Sequence, residues 1–194
     1  LDADDDGDGI PTSQEFEDVF QQTPRRAGNG DTDSDGIPNW RDTDSDGDGV
    51  PDSDEGRSDW DADGISDYLD SDDDGDGNRT IDELDDSPDW DSDGVPQYLD
   101  IDSDGDGISD EIESRDSNRD GLIDISRFGV DQNQNGLDDA YDPEEGGVGT
   151  TYLDSDGDGT PNLRDQDDDD DQMSTRDEIK ALSTSPAALD PLSD

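Results

Sequence analysis

The chain has 194 residues, a formal net charge of −52, 63 acidic residues against 11 basic ones, and no histidine or cysteine. Its hydrophobic content of 23% cannot build an ordinary apolar core, because backbone ordering costs roughly 1–2 kcal/mol per residue that burial must offset. Such acidity repels nucleic-acid phosphates and anionic membranes, no apolar run approaches a membrane span, and the expected partners are cations.

One twelve-residue pattern recurs along the chain: D-x-D-x-D-G-[apolar]-[Pro/Ser]-[Asp/Asn]-x-x-[Asp/Glu]. Copies begin at Asp4, Asp31, Asp44, Asp59, Asp72, Asp89, Asp102, Asp116, Asp131, Asp154 and Asp167. The first offers Asp4, Asp6, Asp8, Ile10 and Glu15, and a short helix is expected over residues 12–20, with Phe16, Val19 and Phe20 on one face. A tight pair follows, Asp31, Asp33, Asp35, Ile37 and Asp42, then Asp44, Asp46, Asp48, Val50, Asp52 and Glu55. The next pair is Asp59, Asp61, Asp63, Ile65, Asp67 and Asp70 with Asp72, Asp74, Asp76 and Glu83. A third is Asp89, Asp91, Asp93, Val95 and Asp100 with Asp102, Asp104, Asp106, Ile108, Asp110 and Glu113.

Two degenerate copies come next. Asp116, Asn118, Asp120 and Asp124 meet Arg127 at position 12, so this loop is expected to bind weakly. Asp131, Asn133, Asn135, Leu137 and Asp142 use amides for carboxylates. Residues 141–153 are glycine-rich and read as a linker, a strand or a contact surface; residues 122–130, the most apolar stretch, read as a possible strand. The last pair is Asp154, Asp156, Asp158, Thr160 and Asp165 with Asp167, Asp169, Asp171 and Glu178, where Gln172 replaces the glycine. Six units result: 1–30, a partial repeat with capping helix and linker; 31–58, 59–88 and 89–115, paired loops; 116–153, degenerate loops with the glycine-rich insertion; and 154–194, a paired repeat with a C-terminal helix. Leu1-Asp2 resembles the Leu-Asp that closes loops at Leu69-Asp70 and Leu99-Asp100, so the chain is expected to be a piece of a longer one.

The spacing has a chemical reason. Aspartates at positions 1, 3 and 5 converge if the chain curls tightly, and the glycine at position 6 permits that curl. A hard cation with six to eight oxygen ligands would take those carboxylates, the position-7 carbonyl, position 9 through water and position 12. The position-7 side chain is then free to pack, and Pro at position 8 pre-sets the backbone. In tight pairs the closing Asp stands two residues before the next loop's first Asp, so it is expected to bridge neighbouring ions. An all-oxygen donor set rich in protein ligands points to calcium, about ten ions or more, ahead of magnesium.

The strings DSDGDGVPDSDE and YLDIDSDGDGISDEIE resemble thrombospondin type 3 repeats, in particular the bacterial kind. The match extends to EFEDVFQQTPRRAGNGDTDSDG and DEIKALSTSPAALD, where a short helix and a turn precede a new Asp-x-Asp or Asp. The resemblance implies an irregular, metal-stapled array, extended as a rod or solenoid, with a few short helices and possible short strands. It also implies a prokaryotic extracellular or cell-surface location and a stalk or adhesin role. The animal repeats carry disulfides and this chain carries none, so its order should depend more completely on metal.

The leading expectation is therefore a non-enzymatic calcium-binding structural protein. A filament protomer joined end to end to other copies of itself is the alternative. A calcium sensor would need helices flanking each loop, and a mineral binder would need free carboxylates. Trp60 and Trp90, both at position 2, read either as packing residues or as exposed contacts.

Overall fold

A computed structural model describes residues 3–21, 30–84, 89–118 and 121–177. Within them all assigned helical structure starts at loop position 9. In the loops at Asp4, Asp44, Asp72 and Asp102 that position opens α1 (Thr12–Gln21), α2 (Asp52–Glu55), α3 (Thr80–Glu83) and α4 (Asp110–Glu113). In the loops at Asp31, Asp59, Asp89 and Asp154 it opens a 3₁₀ turn: Asn39–Arg41, Asp67–Leu69, Gln97–Leu99 and Asn162–Arg164. The first group closes with Glu, the second with Asp, and they are called Glu-closed and Asp-closed loops below. Pro51, Pro96 and Pro161 at position 8 have φ of −71°, −65° and −67°, the value the proline ring imposes.

The chain is irregular, with few short helices and no strand among the described residues. The strand expected in 122–130 does not form. The N–H groups of Phe128, Gly129 and Val130 donate instead to the carboxylate of Asp138, at 2.8, 2.6 and 3.3 Å. Residues 148–153 are not a strand either; Tyr152 donates its hydroxyl to the Asp82 carbonyl at 2.7 Å, so this stretch is a contact surface. No helix among the described residues is long and apolar enough to cross a membrane.

Each Glu-closed loop's helix packs on the turn of a later Asp-closed loop. α1 meets Asn39–Arg41, with Phe16 and Trp40 rings 5.9 Å apart; α2 meets Asp67–Leu69 and α3 meets Gln97–Leu99. α4 meets Asn162–Arg164, so the packing bypasses residues 116–153 and resumes beyond them. The bypassed segment docks sideways on the Asp72 loop. Ser71 N–H donates to the Asn135 carbonyl at 2.7 Å and Arg127 donates to the Gly75 carbonyl, while Arg115, just before the segment, donates to Asn78 and the Gly77 carbonyl.

Apolar packing is sparse. Ile10, Tyr68 and Leu69 form one cluster and Leu137, Ala140 and Tyr141 another. Nine hydrophobic residues are buried among the described ones, against nineteen Asp and Glu. Position 7 does not pack uniformly as expected. Ile10, Val50, Ile108 and Leu137 are buried, whereas Ile37 and Leu122 are exposed. Trp60 and Trp90 are exposed. The linker in 22–29 lies outside the described residues; of the C-terminal helix, residues 175–177 are described and helical, and the rest lies outside.

Candidate metal centres

Each loop is first shaped by its own carboxylates. The position-3 Oδ1 accepts the position-5 N–H, and the position-5 Oδ1 accepts the position-7 N–H. In the Asp44 loop these bonds are Asp48 N–H to Asp46 at 3.2 Å and Val50 N–H to Asp48 at 2.7 Å. The same bonds recur in the loops at Asp4, Asp31, Asp59, Asp72, Asp89, Asp102, Asp154 and Asp167. One oxygen of each carboxylate holds the turn.

In the Glu-closed loops the second oxygens are buried without hydrogen-bond partners, except at Asp76, whose Oδ2 accepts the Asn78 amide at 2.9 Å. They are Asp6 and Asp8 Oδ2, Asp46 and Asp48 Oδ2, Asp74 Oδ2, and Asp104 and Asp106 Oδ2. The closing glutamates add both oxygens of Glu15, Glu55 and Glu113 and Oε1 of Glu83. Asp4, Asp6 and Asp8 bring oxygens within 4.8 Å of one another, as do Asp31, Asp33 and Asp35, Asp44, Asp46 and Asp48, and Asp59, Asp61 and Asp63. Buried carboxylate oxygens that face one another without a donor are costly. Their number, hardness and convergence fit an oxygen-seeking divalent cation.

The electrostatics agree. Burial, with the charges of Asp6 and Asp8, pushes Glu15 up to about 8. Burial, with the Asp106 charge, pushes Asp104 up to about 9. Asp46, Asp74, Glu83 and Glu113 are raised well above the carboxylate range for the same two reasons, burial first and neighbouring carboxylates second.

The closing aspartates sit between loops. Asp42 Oδ1 accepts the Asp44 N–H at 3.3 Å, and burial together with the charges of Asp35 and Asp33 raises it. Asp70, Asp100 and Asp165 make the same bond to Asp72, Asp102 and Asp167, at 3.0, 3.1 and 3.1 Å. Each therefore touches the loop it closes and the one that follows, the placement a bridging ligand needs.

Position 9 has a task that the spacing argument missed. In all eleven loops its side-chain oxygen accepts the backbone N–H of position 2, over 2.7–3.3 Å. Its own N–H donates to the residue before position 1, as Asp52 to Thr43 and Thr80 to Ser71, at 3.1 and 3.0 Å. Asp52, Asp67, Asp110 and Asp124 are thus part of a two-bond latch across the loop. The sequence carried the signal: position 9 is always Thr, Asn, Asp or Gln, side chains with an acceptor oxygen.

Position 4 was missed as well. It adopts positive φ even where it is not glycine, as at Ser34, Ala62 and Ser92, each with φ 65°. In Glu-closed partners of a tight pair it is Gly47, Gly75 or Gly105, and a Cβ there would strike Asp33, Asp61 or Asp91 of the preceding loop.

In the degenerate loops, donors from the chain itself reach Asp124, Asp131 and Asp142. In the Asp131 loop the amides of Asn133 and Asn135 donate to Asp142 Oδ2 at 2.8 and 3.2 Å, and Asp131 accepts from Gln134 and Gly136. Although burial pushes its carboxyl up, the N–H groups of Ala140, Phe128, Gly129 and Val130 hold Asp138 below the ordinary range. In the Asp116 loop, Asn118 and Ser117 donate to Asp124, while Arg127 turns away to Glu111 at 2.7 Å. Asp120 and Glu178 lie outside the described residues. No family model matches the chain, and no match is found among curated proteins.

Proposed function

We propose that the chain is a prokaryotic extracellular structural protein whose tandem loops bind about ten or more calcium ions and stiffen into a rod, as a segment of a surface stalk or adhesin. On this reading it resembles a bacterial thrombospondin type 3 array. The observation that carries it is the set of buried carboxylate oxygens without partners, repeated in register at Asp6, Asp46, Asp74 and Asp104 and at the closing glutamates. Calcium supplies the positive charge those oxygens lack, so binding free energy becomes folding free energy. Extracellular modules hold calcium with dissociation constants of about 10⁻⁴ to 10⁻³ M, and such sites fill outside cells.

The alternative is a protomer of a calcium-dependent filament. It is favoured by one feature: Asp5 and Thr12 of the first loop repeat the pairing of Asp73 and Thr80 in the Asp72 loop, whose Asp73 lies beside Asp48 and Glu55 of an earlier loop.

Small-angle X-ray scattering of the metal-free chain, followed along a calcium titration, tests both. Without metal, a radius of gyration near the ~47 Å of a disordered chain of this length is expected, against about 16 Å for a compact globule. Calcium is expected to give a thin rod at monomer mass. Mass that climbs at constant cross-section selects the filament. A scattering curve that calcium leaves unchanged overturns both.

A further inference from the structure

The four Glu-closed loops and the Asp167 loop meet in succession by a common plan. The edge formed by positions 2 and 9 of the later loop faces the carboxylate shell of the earlier one. Glu15 lies in the field of Asp52, Glu55 in that of Asp73, Glu83 in that of Asp110 and Glu113 in that of Asp168. Every one of these edges carries a single carboxylate, in one of two arrangements.

In the Asp44 and Asp102 loops the carboxylate is at position 9 and a serine is at position 2. Ser45 donates its N–H and hydroxyl to Asp52, and Ser103 does the same to Asp110, so both oxygens of each aspartate are engaged. The Asp72 and Asp167 loops reverse the order. Thr80 and Thr175 occupy position 9 and accept only the N–H of Asp73 and Asp168. The two carboxylates are left with no hydrogen-bond partner on either oxygen, although Asp73 is 2% exposed and Asp168 is 1% exposed. Oxygens of Asp73, Asp48 and Glu55 all lie within 4.8 Å of one another, and Gln166, two residues before Asp168, donates its side-chain amide to the Asp104 carbonyl at 2.7 Å.

We propose that Asp73 and Asp168 are metal ligands supplied across repeats: Asp73 to the ion of the Asp44 loop, and Asp168 to the ion of the Asp102 loop. The proposal rests on reading the loops as cation sites. Position 2 lies outside a loop's own ligand set, and nothing in the twelve-residue pattern requires an acid there; other copies have Thr32, Ser45, Trp60 or Gln132. A buried carboxylate with two unmet oxygens, aimed at another loop's shell, is explained by a cation between them. The consequence is long-range. Asp168 follows Glu113 by 55 residues and lies beyond the bypassed segment. Filling the Asp102 site then fastens the chain on both sides of that segment.

The test uses the full chain and calcium chloride, with Asp73→Asn, Asp168→Asn and, as a control at an exposed position outside every loop shell, Asp54→Asn. Isothermal titration and equilibrium dialysis give the ion count and affinities. Each of the first two variants is expected to bind one ion fewer at the free calcium that half-saturates the wild type, with that ion's affinity lowered about tenfold or more. Asp54→Asn should match the wild type. Because the chain lacks cysteine, spin labels at Ser53→Cys and Ile81→Cys can report the spacing of the Asp44 and Asp72 loops. In saturating calcium their distance distribution should broaden with Asp73→Asn and not with Asp54→Asn. Asp168→Asn is a second, spatially separate arm should Asp73→Asn fail to order. If the wild type binds no calcium, the proposed function fails. If it binds and orders while both variants match Asp54→Asn in count, affinity and label spacing, cross-repeat ligation alone is overturned.

Discussion

Asp48 divides its carboxylate between two jobs. One oxygen holds the Val50 N–H at 2.7 Å, and the other is buried with no partner. The same division at Asp6, Asp46 and Asp104 lets one carboxylate hold its turn and still offer an oxygen to a cation. The latch at position 9 completes the loop's shape. Thr80 is fully buried and accepts the Asp73 N–H. Thr80→Val should leave that N–H buried and unmet, at a cost of about 1–3 kcal/mol. Thermal unfolding in saturating calcium should show a lowered midpoint. Ser13→Ala, at an exposed position of α1, should stay within about 0.5 kcal/mol of the wild type. Gly47→Ala combines two faults: φ is +74°, and the new Cβ would lie 2.9 Å from Asp33. It should destabilise the calcium-loaded chain by more than about 1 kcal/mol, read in the same melt, because it disturbs the loop on each side of the pair.

At the scale of the element, two ways of holding a loop shut stand side by side. The Asp44 and Asp102 loops gather carboxylates that lack a counter-charge. The Asp131 loop fills the same positions with Asn133 and Asn135, whose amides reach Asp142, and packs Leu137 and Tyr141 beneath, with Arg115 stacked 3.8 Å from the Tyr141 ring. The second kind should survive without metal. In chelator, amide exchange at Leu137 and Ala140 should remain slower than at Val50 and Ile108, and calcium should reverse the order or equalise it. Equal, rapid exchange at all four would show that the Asp131 loop also depends on cations. Much of this was legible from sequence, since alternate aspartates in register give the loops, their pairing and the ligand-bearing positions. Asp73 was not legible, because its role depends on which loop lies opposite, and the repeat pattern describes only contacts within a loop. The absent strand at 122–130 was hidden for a similar reason: Asp138 out-competes a neighbouring backbone for the same N–H groups, and only the fold brings it there.

Across the described residues more carboxylates than apolar side chains are buried, so the molecule's response to pH without metal should be opposite to that of a protein held by salt bridges. Glu15, at about 8, Asp104, at about 9, and Asp168, at about 8, are all raised from ordinary values near 4 by burial and by neighbouring carboxylates. A carboxyl with a raised folded-state pKa binds more protons folded than unfolded between the two values. Stability from these groups is therefore fully present below about pH 4 and is lost as pH rises through 8–9. The metal-free chain, prepared by dialysis so that no chelator titrates, should contract as pH falls from 8 to 4, and its radius of gyration should drop from the disordered value. Calcium reverses the dependence, since it requires the ionised carboxylates: at saturating calcium, order should be greatest at pH 8 and decline towards pH 4. Scattering at pH 4, 6 and 8, with and without calcium, reads both trends in one series. Contraction on acidification would mean that proton and cation serve the same buried oxygens. A metal-free chain equally expanded at all three values would mean that those oxygens come together only around the ion.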